Sequence, residues 1–369
     1  MNRKHLLWLV GIALLVGLTV AAGWRELSTA LRRGNPLVLL ALCGVQVITL
    51  GIVAYQWQYL LDRAGTAVSF RLAAVVTLAG TFVESATPSS KLGGMAATVY
   101  LFERTTDAAY DTLSSVLLAQ KYVSLPPLAI LVVGTVAVAV TRTDVAVSSG
   151  AYAAVGGFVA VVVVLSLLFA LFRRWGATDS GGTVTGDGGA VTGDGGTATG
   201  ENEPEPIAAD GAGQETDPLS RGISTLRSVL REAGTLLDRR SRYWLYALAF
   251  LLWVVYPLKI YVVAVTLGVD AGMTVAFVGT YLAYLVSLAP VSPGGTGTFE
   301  GTLALVYLAA GVPFADGLSI ALLGRVVTFW FPLALSAATT GLLLTVDDAV
   351  PSLQGVAETT GELLGRGRG

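Results

Sequence analysis

Long, nearly uninterrupted apolar runs dominate this chain and leave it few ways to fold. A helix rises about 1.5 Å per residue, so ~20 residues cross a hydrocarbon core of ~30 Å. Runs of about that length or longer occupy residues 6–23, 36–61, 111–140, 151–172, 243–267 and 318–346. Only 13% of the residues are charged and mean hydropathy is +0.69, where soluble domains carry about a quarter charged residues. The expected fold class is therefore an all-α polytopic membrane protein with about six full spans. Residues 6–23 follow Arg3 and Lys4 and are read as a retained first span, with a cleaved signal peptide as the alternative.

The scarce residues exclude whole classes of chemistry. Cys43 is the single cysteine and His5 the single histidine, so internal disulfides, cysteine- or histidine-built zinc sites and Ser-His-Asp triads have no material. Ser89-Ser90-Lys91 has no matching oxyanion motif, and Asp347-Asp348 reads as a helix end. No cofactor and no metal is expected, nor is enzymatic activity.

Charge is distributed unevenly. Residues 176–218 hold nine acidic side chains and no Lys or Arg, leaving 16 acidic against 23 basic residues elsewhere. The membrane portion is thus basic and suited to anionic headgroups. The acidic stretch contains a tandem heptapeptide at 184–190 and 191–197 and cannot bury enough apolar surface to fold. It is read as a disordered linker of a kind common in high-salt cytoplasm. Residues 219–240 follow with Leu219, Ile223, Leu226, Leu230, Ala233 and Leu237 on one stripe, the pattern of an amphipathic interfacial helix. The expected organisation is a first membrane half (1–175), the linker (176–218), this helix (219–240), a second membrane half (241–347) and a tail (348–369).

Basic residues mark the cytoplasmic side. Arg173, Arg174 and the cluster Arg221, Arg227, Arg231, Arg239, Arg240 and Arg242 place the linker there, together with the N-terminus and tail. Counting outward, both ends of 72–102 fall on one side, and so do both ends of 273–310. Each is therefore expected to be a re-entrant helical hairpin, turning at 87–94 (TPSSKLGG) and 289–297 (APVSPGGTG). Span, hairpin and Pro-interrupted long span then occur twice in opposite orientation, an inverted repeat. Gly/Pro-interrupted segments at matching places in two halves point to a transporter's binding site.

Ionisable groups inside spans are costly and are functional candidates by default. Lys121, next to Gln120, precedes Pro126, and Arg325 precedes Pro332 in the matching span. Lys259 lies beside Pro257. Glu84 precedes the first turn, which carries Lys91, Gly93 and Gly94. Glu300 follows the second, which carries Pro293, Gly294, Gly295 and Gly297. Basic side chains at mid-depth with half-helix N-termini beyond each turn would make an anion site, with phosphate the obvious occupant. The glutamates would pair with the cations or relay protons.

The stretch 289–301 (APVSPGGTGTFEG), followed by 324–335 (GRVVTFWFPLAL), resembles the flippase-like transmembrane domain of lysylphosphatidylglycerol synthases and its stand-alone relatives. That family carries a P-x-P-G-G-x-G-x-x-E segment, here Pro290 or Val291 through Glu300. It also carries an R-x-x-x-F-W-x-P segment, here Arg325, Phe329, Trp330 and Pro332. The first half departs from the pattern. Lys91, Gly93-Gly94 and Thr98 stand where relatives have an Arg, a Gly-Glu and a further Arg, and Gln120-Lys121 replaces a Glu-Arg pair. The resemblance implies movement of an anionic phospholipid or a polyprenyl-phosphate glycolipid between leaflets of the plasma membrane, with membrane lipids rather than nucleic acid as partners. Two other readings are an accessory enzyme of lipid assembly within the membrane and a scaffold working through the linker.

Overall fold

The computed structural model describes residues 24–86, 90–142, 229, 232–287 and 293–345. The expected spans at 6–23 and 151–172, the linker, most of 219–231, the tail, and residues 87–89 and 288–292 of the two turns lie outside that description. Regular structure among the described residues is entirely helical: α1 (Trp24–Arg33), α2 (Pro36–Arg63), α3 (Phe70–Ala86), α4 (Ser90–Thr105), α5 (Tyr110–Arg142), α6 (Arg239–Thr266), α7 (Gly272–Val286), α8 (Thr298–Ala309), α9 (Phe314–Arg325) and α10 (Phe331–Thr345).

Among the described residues, four stretches are long and apolar enough to cross a membrane: Pro36–Arg63, Tyr110–Ala139, Arg239–Thr266 and Phe314–Thr340. Local chemistry sets their ends. Asn35 caps α2 by accepting from the Leu37 N–H at 3.0 Å, with Pro36 in the first turn, where its missing N–H costs nothing. Asp238 caps α6 by accepting from the Ser241 N–H at 3.0 Å. The last span starts at Phe314, four residues before the apolar run, because Pro313 sets the start of α9. The window of that span is 72% buried inside the protein, against 22% for Pro36–Arg63. It is the central helix of the bundle, whereas α2 turns Leu37, Leu40, Val47 and Ile48 outward.

Between α9 and α10 the central helix widens into a π turn, Val326–Trp330, in which the Phe331 N–H donates to the Val326 carbonyl five residues back. The cause is Pro332, which supplies no N–H and crowds the carbonyl four residues before it. Pro126 and Pro127 lie inside α5.

The two parts of the chain pack in the same order. Helices α3 and α4 form an antiparallel pair in which Gly94 approaches Glu84 while Gly80 approaches Thr98. A Cβ on Gly94 would fall 2.5 Å from that of Glu84, so this close approach requires glycine. Helices α7 and α8 form a second antiparallel pair, with Gly279 against Leu303 and Gly295 against Ser287. Helix α3 packs on α10, as α7 packs on α5. The leading helices α2 and α6 run antiparallel to each other, since Tyr59 meets Ser241 at one end and Gln46 meets Lys259 toward the other.

The segments before α2 and α6 also correspond. Helix α1 docks on α9 through buried Ala30 and an Arg33–Asp316 ion pair at 2.8 Å. The segment 232–237 docks on α5: Ser115 donates to Glu232 at 2.9 Å, and Ala233, Leu236 and Leu237 are buried with Leu113 and Val116.

Candidate functional site

The second turn is built around glycines that other residues cannot replace. Gly294 has φ +60°, and a Cβ on it would fall 2.4 Å from the Phe329 ring. Its lack of a side chain lets that ring close over the turn. The turn then feeds α8, whose third residue, Glu300, reaches back so that the Gly297 N–H donates to Glu300 Oε2 at 2.7 Å. A carboxylate thus occupies the positive end of α8.

The other oxygen of Glu300 accepts from Arg325 Nε at 3.0 Å, and Arg325 Nη2 donates to the Gly294 carbonyl at 2.7 Å. The two side chains are each only 6% exposed. Arg325 therefore clamps the turn to the central helix. Phe329 lies one helical turn on, its ring centroid 4.0 Å from the guanidinium carbon, and Phe299 lies at 5.3 Å. Stacking on these rings holds the guanidinium in one orientation while its edge stays available to acceptors. A buried charge without such pairing would be strongly unfavourable.

A cavity of about 160 Å³ opens beside this clamp. Arg325, Gly294, Phe299 and Phe329 form one wall, and Thr81, Glu84 and Ser85 of α3 form another. Tyr256, Tyr284, Ser287, Thr328 and Pro332 complete it. The volume is that of about five water molecules, enough for a headgroup fragment and too little for acyl chains. Its chemistry combines one cation, one carboxylate at Glu84, and many hydroxyl groups.

The structure distributes the sequence candidates unevenly. Arg325, Glu300, Gly294 and Gly297 are joined by the bonds above, and Glu84 faces Arg325's cavity from the other half. Gly295 packs its backbone on Ser287, and Pro293 begins the short 3-10 turn. Gly94 holds the α3–α4 contact; Lys91 and Gly93 lie in the first turns of α4. Lys121 lies in α5 and does not line the cavity.

Lys259 is also elsewhere, 2% exposed and between α6 and α2. It donates to Gln46 Oε1 and, at 3.4 Å, to Thr49 Oγ1, with the Tyr256 ring 6.0 Å away. The expected cluster of several cations is therefore a single cation in this cavity. Tyr256, Tyr284 and the hydroxyls of Thr81, Ser85 and Thr328 were not singled out in the sequence. The only signal for them was the spacing of Thr77, Thr81 and Ser85 by four within an apolar run.

The chain is similar to known membrane proteins along most of its length. Residues 8–336 match the model of the lysylphosphatidylglycerol synthase TM region. A UPF0104 membrane protein of Methanothermobacter thermautotrophicus is 23% identical, covering 91% of this chain and 94% of its own. Another, from Pyrococcus horikoshii, is 22% identical over 89% and 94%. With its clamp residues inside the matched region, this multi-pass membrane protein belongs to the lysylphosphatidylglycerol synthase TM region family.

Proposed function

We propose that the protein moves a lipid with a polyol-phosphate headgroup between leaflets, in the class of an anionic phospholipid or a polyprenyl-phosphate glycolipid. The observation that carries this reading is the buried Arg325, stacked on Phe329 and bordering a headgroup-sized cavity. Phosphate takes the guanidinium edge, and sugar or glycerol hydroxyls take Glu84, Ser85, Thr328 and the two tyrosines. Glu300 stands in for the phosphate when no lipid is bound. On this reading the protein acts as a transporter and not as an enzyme.

The reading places the two short helix pairs as re-entrant hairpins. At 15 and 12 residues, α7 and α8 are about 22 Å and 18 Å long, short of the ~30 Å core. Their non-helical turn at 293–297 is covered by Phe329 and Arg325, the condition under which irregular backbone is tolerated at membrane depth. The antiparallel course of α2 and α6 supports two inverted halves, a design suited to alternating access. On this reading the membrane is the plasma membrane, and the N-terminus, linker and tail face the cytoplasm with the basic clusters inside.

The test is leaflet-resolved translocation of fluorescent phosphatidylglycerol in reconstituted vesicles. Wild type is expected to accelerate exchange, and Arg325→Lys, which keeps the charge and loses the planar fork, to lose most of that acceleration. Equal rates for wild type, Arg325→Lys and protein-free vesicles would sink the reading.

A further inference from the structure

Among the described residues, Thr77 Oγ1, Trp330 Nε1, Ser336 Oγ and Thr340 Oγ1 are buried without a hydrogen-bond partner. All four belong to α3, to α10 or to the π turn that leads into α10, and these elements pack along each other around Phe82, Phe329, Trp330 and Leu333. The cavity lies where they meet: Thr81 and Ser85 line it from α3, Thr328 and Pro332 from the central helix. From there α3 recedes toward its start while α10 advances. Thr77 stands eight residues before Ser85, and Ser336 eight after Thr328. Thr81 and Pro332 also line the cavity, so each hydroxyl lies four residues and about 6 Å beyond its lining, at the same level.

Residues 77, 81 and 85 share one face of α3, and 332, 336 and 340 share one face of α10. A hydroxyl in a membrane helix ordinarily donates to the carbonyl four residues back. Thr81, Ser85 and Thr328 do so, at 2.8, 2.9 and 2.9 Å. Thr77, Ser336 and Thr340 do not, although Ser336 is fully buried and Thr77 only 6% exposed. Buried polar groups without protein partners are normally satisfied by ordered water.

The corresponding α5–α7 seam lacks this character. It is packed with Leu128, Val132, Tyr281, Phe277 and Leu285. Two of its polar groups are bonded: Tyr281 donates to the Trp253 carbonyl at 3.0 Å and Thr280 to the Ala276 carbonyl at 2.6 Å. Among the described residues the other partnerless buried atoms, Gln120 Oε1 in α5 and Tyr307 Oη in α8, stand singly, whereas four gather on the α3–α10 seam.

We propose that the α3–α10 seam is a hydrated conduit running from the Arg325 cavity toward the exposed Arg71 at the start of α3. A file of water satisfies Thr77, Trp330, Ser336 and Thr340 at rest. Resting on the transport reading, the same track carries the polyol-phosphate headgroup between the cavity and the bilayer surface, its hydroxyls replacing the waters in turn.

The test uses the full chain in vesicles on a Cys43→Ser background. Single cysteines are introduced by Thr77→Cys and Ser336→Cys, with Ala338→Cys on the outward face of α10 as the lipid-facing control. A charged methanethiosulfonate reagent is expected to modify the two seam positions at least tenfold faster than the control. Reaction at or below the control rate at both positions overturns the conduit, whatever the transport result.

A second variant, Thr77→Val with Ser336→Ala and Thr340→Val, removes the hydroxyls at nearly constant shape. It is expected to slow fluorescent phosphatidylglycerol translocation about tenfold with an unchanged elution profile in detergent. Unchanged translocation overturns the headgroup role. If the wild-type protein translocates nothing, the transport reading fails, while fast labelling still upholds the water file.

Discussion

The second half of the protein organises its turn around an ion pair, whereas the matching span of the first half carries Gln120 beside Lys121. Arg325 is stacked, forked onto Glu300 and Gly294, and set above a π turn. Gln120 is buried with its Oε1 unpartnered among the described residues. Arg325 precedes Pro332 by seven residues and Lys121 precedes Pro127 by six; a π turn is where a helix absorbs one added residue. Similar packing order with dissimilar chemistry teaches that the two halves share a scaffold and divide the labour. One half supplies the cation, the other the α3 wall of the cavity.

The largest effect that would sharpen this contrast is expected from Glu300→Leu. It leaves Arg325 buried and unpaired, which costs roughly 3–5 kcal/mol. Gln120→Leu removes a buried acceptor that lacks a partner and is expected to be neutral or stabilising. Thermal unfolding in detergent compares the two, and similar losses would mean that the halves are not chemically distinct.

Next come two glycines of the same turn. Gly294→Ala meets both a left-handed backbone and the Phe329 ring, for a loss of about 2–4 kcal/mol. Gly297→Ala, at φ +87° with open space around it, bears the backbone penalty alone, about 1–2 kcal/mol. The same unfolding measurement ranks them; a larger loss at Gly297 would show that the Phe329 lid is unimportant.

A smaller effect is expected where the halves touch. Gln46→Leu strips Lys259 of its main acceptor and costs about 1–3 kcal/mol. Adding Lys259→Met is expected to bring stability back to within about 1 kcal/mol of wild type. A double variant no better than the single would instead make Lys259 essential to the α2–α6 contact.

The smallest effect concerns the paired caps Asn35 and Asp238. The Asp238 carboxylate is held below its ordinary pKa by hydrogen bonds from Ser241, side chain and backbone, with Arg63 adding its charge. A depressed pKa means the stabilisation is present above the unfolded value near 4 and is lost as pH falls through the lower folded one. Asn35 does not titrate. Amide exchange at the start of α6 is therefore expected to quicken below pH ~4 while that at the start of α2 does not, and Asp238→Asn abolishes the difference. Equal responses at the two ends would break the comparison.

Much of the scaffold was readable in the sequence because hydrophobic length and helix-breaking residues are local signals. The runs at 36–61, 111–140 and 243–267 became helices, and Glu300, Arg325, Gly294 and Gly297, singled out by residue type, are joined in one bonded cluster. What could not be read was partnership across the bundle. Nothing in the run around Lys259 says that its acceptor is Gln46, 213 residues away, nor that Lys121 lies off the cavity. Thr77, Thr81 and Ser85 looked like ordinary small residues in an apolar helix. Their meaning depends on α3 packing along α10, which is a property of the bundle and not of spacing.

Glu300 has a further consequence. On the transport reading, an incoming anion meets an Arg325 already occupied by an internal competitor, tethered to the same turn and unable to diffuse away. Its apparent affinity is the intrinsic one multiplied by the small fraction of time the tethered carboxylate stands aside. On that reading binding is weak by construction, and release is fast because the competitor is always at hand. A storage site would be impaired by that arrangement, whereas a carrier is kept from trapping its own cargo.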